Sequence, residues 1–120
     1  MEVLKIDELQ IDRGAAVPLK TVFSQEYLSG NVRMGTVTIP PGKRVPLSGV
    51  SNHRENEYSI IVKGSIVTET NGKTYRVSSG EATFIPAGQE HIAYNESNED
   101  CEIIWVLVGR GTGKNKRRPI

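Results

Sequence analysis

The sequence predicts an all-β fold, and three observations carry that prediction. Val and Ile together number 23 against 11 for Leu and Ala. β-Branched side chains suit pleated strands and lose χ1 freedom in helices. Short apolar segments separated by turn residues recur from Val17 onward, the pattern of a sandwich or barrel. No window sustains helical periodicity with caps, apart from a turn around Ile6 to Leu9. At 120 residues the chain is long enough for one hydrophobic core and too short for two.

In chain order, the expected strands are Val17 to Phe23, Val32 to Ile39, Tyr58 to Lys63, Ser65 to Thr70, Lys73 to Ser78, Ala82 to Ile85, Glu90 to Tyr94 and Cys101 to Val108. Pro40-Pro41-Gly42 ends the second of these sharply, since proline offers no ladder donor. Asn71-Gly72 between two β-rich runs is the signature of a type I′ hairpin turn, which needs positive φ at both central positions. Ser78-Ser79-Gly80 and Pro86-Ala87-Gly88 mark the next two turns. Residues 1–108 form the expected domain, and residues 109–120 a basic, disordered tail.

That tail, GRGTGKNKRRPI, holds five of the fifteen basic residues and no acid, which leaves the body with ten basic and fourteen acidic residues. The near-neutral total charge of +1 therefore describes neither part. Without interleaved aromatic residues the tail offers bases no stacking platform, and the chain shows no helix-turn-helix segment, so nucleic acid is not an expected partner. The one cysteine, Cys101, permits no disulfide within the chain and no CxxC pair; its expected role is that of a small buried hydrophobe. The longest apolar run, Ile103 to Val108, is far short of the ~20 residues of a membrane span. The start MEVLKIDELQ lacks the basic and apolar regions of a signal peptide, so cytoplasm is the default location.

The chemistry centres on two histidines, the only two in the chain. In an extended segment His53 and Glu57, four residues apart, share a face, because strand side chains alternate with period two. The Pro86-x-Gly88 turn delivers His91 to the first residues of the following strand. The run Gly80, five residues, Pro86-x-Gly88, two residues, His91, three residues, Asn95 matches the second motif of the cupins at every fixed position. A chance match of five such residue types is ~one in a million per starting position. His53, Glu57 and Gly64 keep the spacing of the second half of the first motif, and Gly42 stands at its start. The chain thus resembles a small single-domain cupin, with the barrel motifs between about residues 42 and 95.

The resemblance implies a double-stranded β-helix, or jelly-roll barrel, whose mouth holds a metal or a small ligand, and it implies a homodimer, here expected to pair through the N-terminal strands. It also implies that His53, Glu57 and His91 are metal ligands, a two-histidine, one-carboxylate set suited to divalent Fe, Mn, Ni or Zn. Metal-holding cupins usually carry a further histidine; anchoring on Glu57 puts Ser51 at its position, and anchoring on Gly42 puts Ser48 there. Ser51, a water or a substrate oxygen would have to take that place. Gly42, Gly64, Gly80, Pro86, Gly88 and Asn95 are expected to be structural, as turn formers and as a side chain satisfying loop backbone.

Two functions follow from the resemblance. One is a metal-dependent enzyme, a dioxygenase, isomerase, lyase or decarboxylase, acting on a small organic acid, sugar or aromatic compound by Lewis-acid or O2 chemistry. The other is a non-catalytic small-molecule sensor without a competent metal. A metal-free sugar epimerase needs a histidine base and a tyrosine acid, and nothing in the spacing of Tyr58 and Tyr94 favours it. Of the remaining residues, Trp105 and Phe84 are expected in the core, and Tyr58 outside the pocket. Only one of Arg33 and Met34 can face inward, and Glu55 either joins the site or sits in a turn.

Overall fold

The computed structural model describes residues 1–110, so most of the expected basic tail lies outside the described residues. Nine strands follow a short 3-10 turn at Ile6–Glu8: β1 (Leu19–Tyr27), β2 (Gly30–Ile39), β3 (Arg44–Val45), β4 (Glu55–Lys63), β5 (Ser65–Thr70), β6 (Lys73–Ser78), β7 (Ala82–Ile85), β8 (His91–Tyr94) and β9 (Cys101–Arg110). They form two antiparallel sheets, one in the order β1-β2-β9-β4-β7 and the other in the order β3-β8-β5-β6. The all-β expectation holds, and β5, β6 and β7 have the expected bounds. The turn between β5 and β6 has positive φ at Asn71 (52°) and Gly72 (74°), as a type I′ turn requires.

The other six strands differ from expectation, three of them only at an end: β2 starts at Gly30 and not Val32, β8 at His91 and not Glu90, and β9 ends at Arg110 and not Val108. β3 is only two residues long and has no periodicity to detect; it exists because Arg44 and Val45 pair with Tyr94 and Ala93. β4 starts at Glu55, ahead of the expected Tyr58, because β9 continues to Arg110 and offers Gly109 and Val108 as partners to Glu55 and Asn56. β1 extends through the polar residues Ser24 to Tyr27, where backbone pairing with β2 outweighs the exposed side chains.

The larger sheet turns its odd-numbered β2, β4 and β9 residues inward, and its register stacks them in rows. Ile39 lies opposite Cys101, then Val37, Ile103 and Ile61 share a row, then Gly35, Trp105 and Ser59. The next rows toward the open end are Arg33, Leu107 and Glu57, and then Asn31, Gly109 and Glu55. The inward face therefore changes from apolar to polar along the strands. At the closed end Ile39, Ile61, Cys101 and Ile103 join Val17, Ile66 and Val77 in one buried core cluster. Cys101 is fully buried, and loss of solvent pushes its thiol up to about 11, so at neutral pH it is an inert filler.

The other face of this sheet places Tyr58, Ile60, Val62 and Phe84 in solvent. Phe84 is thus not the core aromatic the sequence suggested: pairing with Tyr58 across β4 and β7 puts it on the outer face, where the two rings pack at 5.0 Å. Trp105 does lie inside, and it needs the glycine opposite. A Cβ at Gly35 would collide with the indole and with the Lys20 carbonyl oxygen.

Candidate metal centre

Two loops and a strand bring the chain's two histidines to one carboxylate. Glu57 lies within β4 and points inward; His53 precedes that strand, and His91 opens β8. The loops are tied by backbone. The Gly88 N–H donates to the His53 carbonyl oxygen (2.7 Å), from a residue at φ 84° that a β-carbon would disfavour. The Ala87 N–H donates to Asn56 Oδ1 (2.9 Å), and Ser51 and His91 exchange two backbone hydrogen bonds of 2.8 and 3.0 Å. The Pro86-x-Gly88 turn therefore clamps the segment carrying His53 to the start of β8.

His53 Nε2 lies 3.7 Å and His91 Nε2 3.9 Å from the same Glu57 oxygen, Oε1. One donor atom from each residue lies within 4.8 Å of the other two. The rings of the two histidines are 5.3 Å apart and tilted by 43°. His91 is the most enclosed of the three, and its Nδ1 is 3.0 Å from the Gln89 carbonyl oxygen. A carbonyl only accepts, so Nδ1 carries a proton, and in the neutral imidazole the Nε2 lone pair is the one that faces Glu57.

This arrangement fits a cation. The two Nε2–Oε1 separations are too long for hydrogen bonds. Donors held at about 2.0–2.2 Å from one ion are ~3–4 Å apart, so small side-chain adjustments complete a three-ligand set. The carbonyl behind His91 is the kind of outer partner that fixes a ligating imidazole.

The group opens into a cavity of about 260 Å³ whose walls include Leu19, Val37, Trp105 and Leu107. Ser51, bridged to His91 through the backbone, also lines it. One polar lining residue escaped the sequence reading, and one choice that it left open is decided here. Ser59 faces in from β4 one row below Glu57, and Arg33, not Met34, is the inward member of its pair. Strand parity carried both signals, since Val37 and Ile39 on β2 and Glu57 on β4 share the odd register. Glu55 also turns inward but stops short of the cavity: it is buried and paired with Arg33 at 3.6 Å.

Of the structural motif residues, Pro86 and Gly88 adjoin this centre, whereas Gly42, Gly64, Gly80 and Asn95 lie toward the closed end of the sheets, near Ile39, Ile61 and Cys101. Asn95 is almost fully buried, and its Nδ2 donates to the carbonyl oxygens of Ile39 (2.8 Å) and Glu99 (2.7 Å). Its Oδ1 accepts from the Ser97 N–H and hydroxyl at 2.9 and 2.7 Å. Gly42 donates to the Asn95 carbonyl oxygen, and Gly80 to that of Ile61. Gly64 passes so close to Asp100 that a Cβ would strike its carbonyl oxygen.

Comparison with known proteins agrees with this architecture. The alginate biosynthesis protein AlgA of Pseudomonas aeruginosa is 27% identical over 88 residues, 73% of this chain and 18% of that protein. A mannose-1-phosphate guanylyltransferase of Escherichia coli is 28% identical over 79 residues, 66% of this chain and 16% of that protein. The chain thus spans less than a fifth of these curated relatives. Among solved structures, a Cupin 2 conserved barrel domain protein from Salinispora arenicola superimposes with a TM-score of 0.70 at 20% identity, covering 89% of this chain and 87% of that one. A predicted oxalate decarboxylase from Thermotoga maritima gives 0.66 at 24% identity, covering 89% and 98%. The model of the cupin domain matches residues 35–107, a stretch that contains His53, Glu57, His91 and the cavity walls of β4, β8 and most of β9, and the chain belongs to the cupin family.

Proposed function

We propose that this cupin binds a divalent transition metal, Fe, Mn, Ni or Zn, through His53, Glu57 and His91, and uses the centre to bind and transform a small organic molecule in the adjoining cavity. The observation that carries the reading is the convergence of three electron-pair donors on one point, with the His91 proton directed away from it. When bound, such an ion supplies Lewis-acid or, as iron, O2 chemistry. The chain's own part is to hold and enclose. Gln89 fixes the His91 tautomer, the turn at Gly88 holds His53, and Leu19, Val37, Trp105 and Leu107 line the cavity with apolar surface that keeps water from a bound ligand.

Small organic acids, sugars and aromatic compounds are the ligand classes we infer. The Thermotoga maritima neighbour, described as a predicted oxalate decarboxylase, supports the first, and the guanylyltransferase relatives, which act on a sugar phosphate by name, support the second. Ser51 in place of a further histidine favours a second reading, a sensor that binds without catalysis. The partner we propose is a second copy of the chain. The N-terminal strand β1 has an open edge, and the outer face of β4 and β7 is apolar. No helix among the described residues is long and apolar enough to cross a membrane; the proposed location is the cytoplasm.

Metal analysis of protein purified without a histidine tag tests the central reading. Near-stoichiometric transition metal is expected, and it should be lost in Glu57→Ala and His91→Ala. Metal-free protein whose ligand binding is unchanged by those substitutions would refute it.

A further inference from the structure

The cavity has a cationic wall that the three metal-binding candidates do not account for. Arg33 lines the same cavity as His53, Glu57 and His91, and its side chain is 25% exposed. It shares an inward row with Leu107 and Glu57, so two strand spacings, about 10 Å at Cα, separate Arg33 from the carboxylate of the triad.

Behind Arg33 stands Glu55, 3% exposed, with its Oε2 at 3.6 Å from Arg33 Nη2. Neither Glu55 oxygen and not Arg33 Nε has a hydrogen-bond partner. The row is built to admit this pair. Gly109 lies between Asn31 and Glu55, and a Cβ on it would press on the Asn31 side chain and on Glu55 Cγ. As a stabilising device the pair is poor. Both charges lose hydration, no hydrogen bond compensates, and apolar side chains of similar volume serve a core as well or better. A guanidinium retained at that cost, on a residue that lines a ligand cavity, is explained by what it can hold there.

We propose that Arg33, tethered by Glu55, recognises the carboxylate of a small organic acid whose remaining oxygen groups lie toward His53, Glu57 and His91. This narrows the ligand class of the proposed metal site and rests on that reading. Charge selects a monoanion. Arg33 and Glu55 cancel, and Glu57 offsets half of a divalent ion, leaving one positive charge with neutral imidazoles. A neutral sugar leaves that charge unanswered, and a phosphate dianion exceeds it. The planar fork of a guanidinium matches the two oxygens of a carboxylate, and a cavity of about 260 Å³ limits the acid to a few carbons or one ring.

Calorimetric titration of metal-loaded protein with glycolate, pyruvate and benzoate, each against its neutral amide, tests the inference. At least one acid is expected to bind about ten- to a hundredfold tighter than its amide. Arg33→Gln should abolish that preference while the metal content stays unchanged, which separates this inference from the metal reading; the same titrations on chelator-treated protein repeat the comparison with no metal present. Because Arg33→Gln strands a buried carboxylate, the double substitution Arg33→Gln/Glu55→Gln controls for folding and should lose the preference too. Equal binding of acids and amides, no binding of any of these acids, or a preference that survives in folded Arg33 variants would overturn it.

Discussion

Asn95 shows how much one side chain can carry in this fold. It ties the end of β2, through the Ile39 carbonyl, to the loop between β8 and β9, through Ser97 and Glu99, with all four bonds between 2.7 and 2.9 Å. Alanine there removes the bonds and leaves a buried carbonyl without a donor. Asn95→Ala is expected to cost about 2–4 kcal/mol in urea unfolding, and a loss under about 1 kcal/mol would contradict the role. The role was legible as a motif position, because Asn95 follows His91 at the family spacing, whereas its partners were not: Ile39 is distant in sequence and reaches it only through the closure of the sheets. Arg33 was left open for a related reason. Composition places a charged residue outside by default, and only the register of β2 against β9 turns it inward.

Among the elements, the pairing of β2 with β9 decides where the site stands. The inward rows are apolar at the closed end and carry charged side chains at the open end, so the carboxylate of Glu57 meets the histidine loops there. The layer beneath depends on Gly35 giving space to Trp105, which forms the floor of the cavity. Gly35→Ala should therefore destabilise the protein by about 1–3 kcal/mol, and the altered packing should appear as a shift in Trp105 fluorescence; an unchanged spectrum and stability would show that the strands are not packed as described. Strong local signals made some elements readable, as in the Asn71-Gly72 hairpin and the Pro86-x-Gly88 turn. β3 and the first residues of β4 were not, because two residues hold no period and Glu55 and Asn56 become strand only by pairing with Gly109 and Val108. Phe84 was misplaced because its apolar character alone cannot tell a core from an outer face.

At the scale of the whole molecule, one sheet face is packed and the other is left apolar in water. Tyr58, Ile60, Val62 and Phe84 are each between 44% and 53% exposed, and together they form a continuous patch on β4 and β7. Covering it is the reason to expect a dimer. Light scattering at micromolar concentration should give twice the 13.2 kDa chain mass, and Ile60→Glu should reduce it toward the monomer; a monomeric mass for the unaltered chain would reject the second copy. The folded barrel also joins the two histidine loops, far apart in sequence, by the bond from Gly88 to His53. That junction makes the candidate metal centre a property of the whole fold, and its occupancy can be read directly. Anomalous diffraction recorded above the metal absorption edge should show a peak about 2.0–2.3 Å from His53 Nε2, His91 Nε2 and a Glu57 carboxylate oxygen. An ordered site with no peak there, in crystals grown with Fe, Mn, Ni or Zn, would contradict the account.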